Sequence, residues 1–85
     1  MAKTNLHFDV ILTEDACKVF KDEAVSLLLN NGKYFYCTEV DPNGSYFYMK
    51  VENKIGDEIF YTDVYMPHHF ILYYVSDDAR KRLGF

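Results

Sequence analysis

Met66-Pro67-His68-His69-Phe70-Ile71-Leu72-Tyr73-Tyr74-Val75 is the most apolar and β-prone stretch of this 85-residue chain. Pro67 has no N–H to give to a ladder, so it marks a corner or an edge. The stretch reads as the end of one strand, a Pro-punctuated corner and a buried last strand, and the segments upstream read as its pairing partners. Residues 1–85 are enough for one domain, and a chain this short buries only about 60–65 % of the surface it exposes unfolded.

Upstream, Leu6, Phe8, Val10 and Leu12 alternate, which predicts a strand over residues 6–12 with one buried face. Thr13-Glu14-Asp15 predicts a helix start, a capping hydroxyl followed by carboxylates where the helix dipole favours them. Ala16, Val19, Phe20 and Ala24 then recur at helical spacing. Ala24-Val25-Ser26-Leu27-Leu28-Leu29 reads as the last turns of that helix or as a strand. The Asn31-Gly32 pair that follows favours the strand, because both central residues of a type I′ hairpin turn need positive φ. Gly32 as a helix C-cap is the competing reading, under which the fold becomes an α+β sheet packed on one long helix.

Strands are predicted at 33–40, 45–53, 58–66 and 69–75, with turns at Asp41-Pro42-Asn43-Gly44 and Lys54-Ile55-Gly56-Asp57. With an even loop, Tyr34, Tyr36 and Val40 share a face with Phe47, Met49 and Val51, and Phe35, Cys37, Tyr46, Tyr48 and Lys50 line the other. An odd loop reverses the first strand. On the next strand Phe60, Thr62, Val64 and Met66 fall on one side and Tyr61, Asp63 and Tyr65 on the other. Ser76 to Arg82 reads as a capped last helical turn, acids first and bases last.

Composition narrows the function. Eight Tyr and seven Phe are more aromatic surface than so small an interior hides, and exposed aromatic patches meet partners. Homo-oligomerisation is a common way for a short chain to enlarge its core. The net charge of −4 argues against a broad phosphate-binding surface, and the only concentrated positive charge is Arg80-Lys81-Arg82. Cys17 and Cys37 form no disulfide or metal pattern and the three His are too few for a four-ligand site, so no metal or cofactor is expected and the compartment is a reducing, cytoplasmic one. The uncharged run from Met66 to Ser76 is too short to cross a bilayer. No phosphate loop or Ser-centred elbow occurs, and nothing places two of the strand carboxylates Asp9, Glu39 and Asp63 together. Cys17 has Lys18 and Lys21 near it but no base, so it reads as a core residue rather than a nucleophile, and no catalysis is expected.

Two stretches resemble motifs of the Sm-like small β-barrel family. In Val25-Ser26-Leu27-Leu28-Leu29-Asn30-Asn31-Gly32-Lys33-Tyr34-Phe35-Tyr36-Cys37-Thr38, alternating apolar residues lead into a turn ending in Gly, with Phe35 three residues on and Cys37 two further, where the family commonly has Gly. In Val64 to Val75 a strand ends at a tight corner and an apolar strand follows, with Pro67-His68 standing where many members carry Arg-Gly. The resemblance covers roughly residues 14–76 and is to divergent members of microbial or phage type. It implies a five-stranded barrel with an N-terminal helix, the strand at residues 6–12 being extra, assembled into a homo-oligomeric ring that binds single-stranded RNA.

The residues it points to are Asn43, Tyr46, His68 and His69, the amide and imidazoles reading base edges and the Tyr stacking, with Arg80 and Arg82 attracting phosphate. Each has a plainer role: Asn before Gly forms turns, loop histidines are ordinary turn residues, and tyrosines seal subunit interfaces. The rival reading is a protein-interaction module, an adaptor or inhibitor, that uses its Tyr-rich faces against another protein. The acidic net charge supports that rival.

Overall fold

The computed structural model describes residues 7–76. Five strands, β1 (Phe8–Leu12), β2 (Tyr34–Asp41), β3 (Phe47–Ile55), β4 (Glu58–Met66) and β5 (Ile71–Ser76), form one antiparallel sheet in the order β4-β3-β2-β1-β5. A short helix α1 (Glu14–Phe20) and a 3-10 segment (Ala24–Leu28) lie between β1 and β2, and a 3-10 turn (His68–Phe70) joins β4 to β5. The helical turn expected from Ser76 to Arg82 falls largely outside the described residues.

The first strand is not an appendage. β1 is an inner strand, with Val10 opposite Phe35 of β2 on one side and opposite Tyr74 of β5 on the other. The predicted helix therefore follows β1 rather than opening the domain. Thr13 caps α1 by accepting the Ala16 N–H at 3.1 Å, and its own N–H donates to the Phe70 carbonyl at 2.9 Å. Ala16 is buried and Phe20 packs edge-on against Phe70 at 5.4 Å, whereas Val19 faces solvent.

The preferred strand at residues 24–29 is corrected: Ala24–Leu28 is a 3-10 segment. Val25, Leu28 and Leu29 rest against the core and Leu27 is 83 % exposed, a pattern that a short apolar run does not reveal by periodicity. Asn53 Nδ2 donates to the Leu28 carbonyl at 3.1 Å and holds the segment to β3. Asn31 and Gly32 both have positive φ (56° and 66°), as a type I′ turn requires, but the turn closes a single bridge between Asn30 and Tyr34 instead of a two-stranded hairpin.

Neither facing alternative for β2 holds along its whole length. An extra residue lies between Cys37, opposite Val51, and Glu39, opposite Lys50. This β-bulge switches the phase. Phe35 and Cys37 point into the core before it, and Val40 packs against the core after it, opposite Met49. Phe47, Met49 and Val51 of β3 and Val64 and Met66 of β4 fill the same interior as expected.

The sheet is curled. Three strand spacings separate β3 from β5, roughly 14 Å in a flat sheet, yet the Phe47 and Tyr74 rings lie 5.5 Å apart across the concave side. Among the described residues no ladder joins β4 to β5, so the curl leaves the sheet open and both end strands present an edge.

Two substitutions test this assignment by urea unfolding. Phe35→Ala should cost about 3–5 kcal/mol, as for a fully buried aromatic, and Leu27→Ser should change stability by no more than ~0.5 kcal/mol. A large loss from Leu27→Ser would contradict the 3-10 placement.

Candidate functional site

The chain reverses between β2 and β3 through Asp41 to Tyr46. The Asn43 N–H donates to Asp41 Oδ1 at 2.9 Å, an Asx turn that sets the loop. The loop is pinned from outside as well, since the Gly44 carbonyl accepts a bond of 2.7 Å from His68 Nε2. His68 also lies edge-on to Phe47 at 6.2 Å. Its imidazole therefore ties the β4–β5 corner to the β2–β3 loop.

A second constraint comes from the other end of β3. Gly56 and Asp57 form a two-residue turn between Ile55 and Glu58, with Gly56 at φ +61°, a conformation suited to the first central position of a type II′ turn. That turn fixes a register in which Tyr48 faces Tyr65, and Asp41 lies opposite Tyr48 on the other flank. Asp41, Tyr48 and Tyr65 thus form a row across three adjacent strands on the outer face of the sheet. The Tyr48 and Tyr65 rings are 5.1 Å apart and tilted by 45°. Together with Gly44, Ser45 and Tyr46 they line an open cleft of about 360 Å³. Tyr46 is 57 % and Tyr65 67 % exposed.

The cleft has an acidic rim. The Tyr48 hydroxyl donates to Asp63 Oδ1 at 2.7 Å, and this bond, then burial and the charges of Asp63 and Glu39, push its pKa up to about 12. Lys50 lies opposite both Glu39 and Asp63 in the ladders and is the only cation on this part of the outer face among the described residues.

Of the residues expected from sequence, Asn43, Tyr46 and His68 do come together at this end of the sheet. Tyr46 lines the cleft, Asn43 shapes its loop, and His68 already uses Nε2 to hold Gly44. His69 is exposed and its ring packs on Phe70 at 4.5 Å. Arg80 and Arg82 lie outside the described residues. Tyr65, which lines the cleft beside Asp41, was not expected. With the turn placed at Gly56-Asp57 instead of across 54–57, the hairpin register alone would have set Tyr65 beside Tyr48.

Further along the outer face His7 stacks on Tyr36, with centroids 4.5 Å apart, and its Nε2 meets Glu52 Oε1 at 3.1 Å. Asp9 is fully buried beneath this face, the one buried charged side chain among the described residues. Burial, and secondarily the charge of Asp9, push the Cys37 thiol up to about 12. Cys17 is half-buried. Among the described residues no three His, Cys, Asp or Glu side chains are placed to hold a metal ion, and no helix is long and apolar enough to cross a membrane.

Two titrations follow. Ultraviolet titration of the folded protein should show Tyr48 ionising near pH 12, and Asp63→Ala should return it toward the usual range. An unfolded tyrosine ionises at about pH 10, so Tyr48's contribution to stability is intact below that pH and is lost as pH rises toward 12. With a thiol reagent at neutral pH, Cys17 should react well before Cys37, and equal rates would contradict the buried thiol.

No family model matches the chain, and neither a curated protein nor a solved structure matches it.

Proposed function

We propose that this chain is a non-catalytic interaction module of the SH3-like or Sm-like class that takes a segment of a partner protein into the Tyr46, Tyr48 and Tyr65 cleft. The observation that carries this reading is the rim of that cleft. Asp41 lines it, Asp63 and Glu39 lie beside it, and Lys50 alone opposes them among the described residues. A nucleic-acid backbone gains its affinity from cations that neutralise phosphate, and this rim offers the opposite charge. Exposed tyrosines with apolar bodies and polar tips suit protein interfaces.

Strand order supports the class. A curled antiparallel sheet of five strands, end strands that do not pair among the described residues and a 3-10 turn before the last strand support that class. The edges also support self-association: β4 is a nine-residue end strand with Ile59, Tyr61 and Tyr65 exposed, and β5 exposes Leu72 and Tyr73. Unpaired strand edges of this kind add strands from neighbours, and head-to-tail pairing of β4 with β5 would close a ring. The free cysteines Cys17 and Cys37 suit a reducing, cytoplasmic compartment.

A second reading is a ring that binds single-stranded RNA, favoured by the convergence of Asn43, Tyr46 and His68 at one end of the sheet. The two readings separate on salt. Fluorescently labelled oligo-U and oligo-A, titrated at 50 and 200 mM salt, should show no saturable binding if the cleft serves proteins. Saturable binding that falls steeply with salt, and weakens on Tyr46→Leu, would establish the RNA reading instead. Light scattering on the same sample should give a mass above one subunit, and a monomer would remove the edge-pairing proposal.

A further inference from the structure

We infer that the cleft between Tyr46, Tyr48 and Tyr65 is a seat for an arginine side chain of a basic partner segment, with Asp41 as the carboxylate that receives its guanidinium. The inference rests on the protein-docking reading above and names the chemistry of the docked group. Three tyrosines supply ring faces, whose quadrupole is negative and attracts a cation placed over it. The Tyr48 and Tyr65 rings lie 5.1 Å apart and tilted by 45°, so they do not stack flat on each other, and both line the cleft. The backbones of both lie on paired strands, and the Tyr48 ring is also tethered through its hydroxyl to Asp63.

Charge selects among occupants. An apolar side chain would bring no charge to a rim carrying Asp41, Asp63 and Glu39, and a carboxylate or phosphate would be repelled. Asp41 Oδ1 accepts the Asn43 N–H, and Oδ2 makes no hydrogen bond among the described residues. That leaves one carboxylate oxygen for an incoming donor in a loop that the same residue has already ordered. Arginine fits better than lysine, because a planar guanidinium stacks on an aromatic ring while its N–H groups bond in plane to a carboxylate. The volume of about 360 Å³ admits the planar head with part of its aliphatic stem.

The test is a titration of the full chain, followed through the tyrosine ring resonances, with tetra-arginine and with the neutral isostere tetra-citrulline. Tetra-arginine should shift the Tyr46, Tyr48 and Tyr65 rings saturably, and tetra-citrulline should not. Asp41→Asn, which keeps an oxygen for the Asn43 N–H, should weaken binding about two- to five-fold, the range of an exposed ion pair. Tyr46→Leu should weaken it by a similar factor.

Equal shifts with tetra-citrulline would overturn the cationic assignment and leave protein docking standing. Saturable shifts of the same three rings by oligo-U, with none from tetra-arginine, would overturn the docking reading itself. If replacing Arg80, Lys81 and Arg82 by Gln moved these rings with no peptide added, the chain's own basic segment would be the occupant and the assignment to a partner would fall.

Discussion

The joining of β5 to the rest of the sheet depends on β1, five residues that carry two ladders at once. Phe8 lies opposite Cys37 on one side and opposite Ser76 on the other, so the strand near the start of the chain bonds the strand near its end. Without β1, β5 has no ladder among the described residues, and the concave side loses the Tyr74 ring that covers Phe47. The interaction at its centre is the fully buried pair Val10 and Phe35. Pairing two distant ends requires closing a long loop before the contact rewards it, so the β1–β5 ladder is the costly step of folding, and non-local topologies of this kind fold slowly.

Curl and register then decide what the outside offers. The bulge between Cys37 and Glu39 lets β2 bend and keeps apolar residues inward on both sides of it. On the outer face, the tight turn at Gly56-Asp57 aligns Tyr48 with Tyr65, and the loop ordered by Asp41 and His68 brings Tyr46 to the same place. The tyrosine-lined cleft thus arises from backbone devices that act at a distance from it. The carboxylates around it, Asp41, Asp63 and Glu39, make its rim acidic.

Strands β2, β3 and β4 were legible in the sequence because alternation and turn residues agree there. The Tyr-rich segments have a two-residue period, and Asp41-Pro42-Asn43-Gly44 and Gly56-Asp57 punctuate them. Local pattern could not place β1: its alternation announces a strand, but its position between β2 and β5 is a property of topology. Residues 24–29 misled because a short apolar run followed by Asn-Gly serves a 3-10 segment as well as a strand. A bulge adds one residue without changing composition, so the phase switch in β2 had no signal in the sequence. For the site, aromatic excess and acidic balance were visible, and Tyr46, Asn43 and His68, singled out through the family resemblance, lie at one end of the sheet. The cleft needed the register, which hung on two residues of turn.

Amide hydrogen exchange, resolved residue by residue on the full chain, tests the central role of β1 most directly. The account predicts that Val10, Phe35 and their neighbours in β1 and β2 exchange slowest, at the rate of global unfolding, with β5 protected where it faces β1. Rapid exchange in β1 alongside a protected β2–β3–β4 meander would show that the sheet holds together without its shared strand, and would contradict the architecture described here.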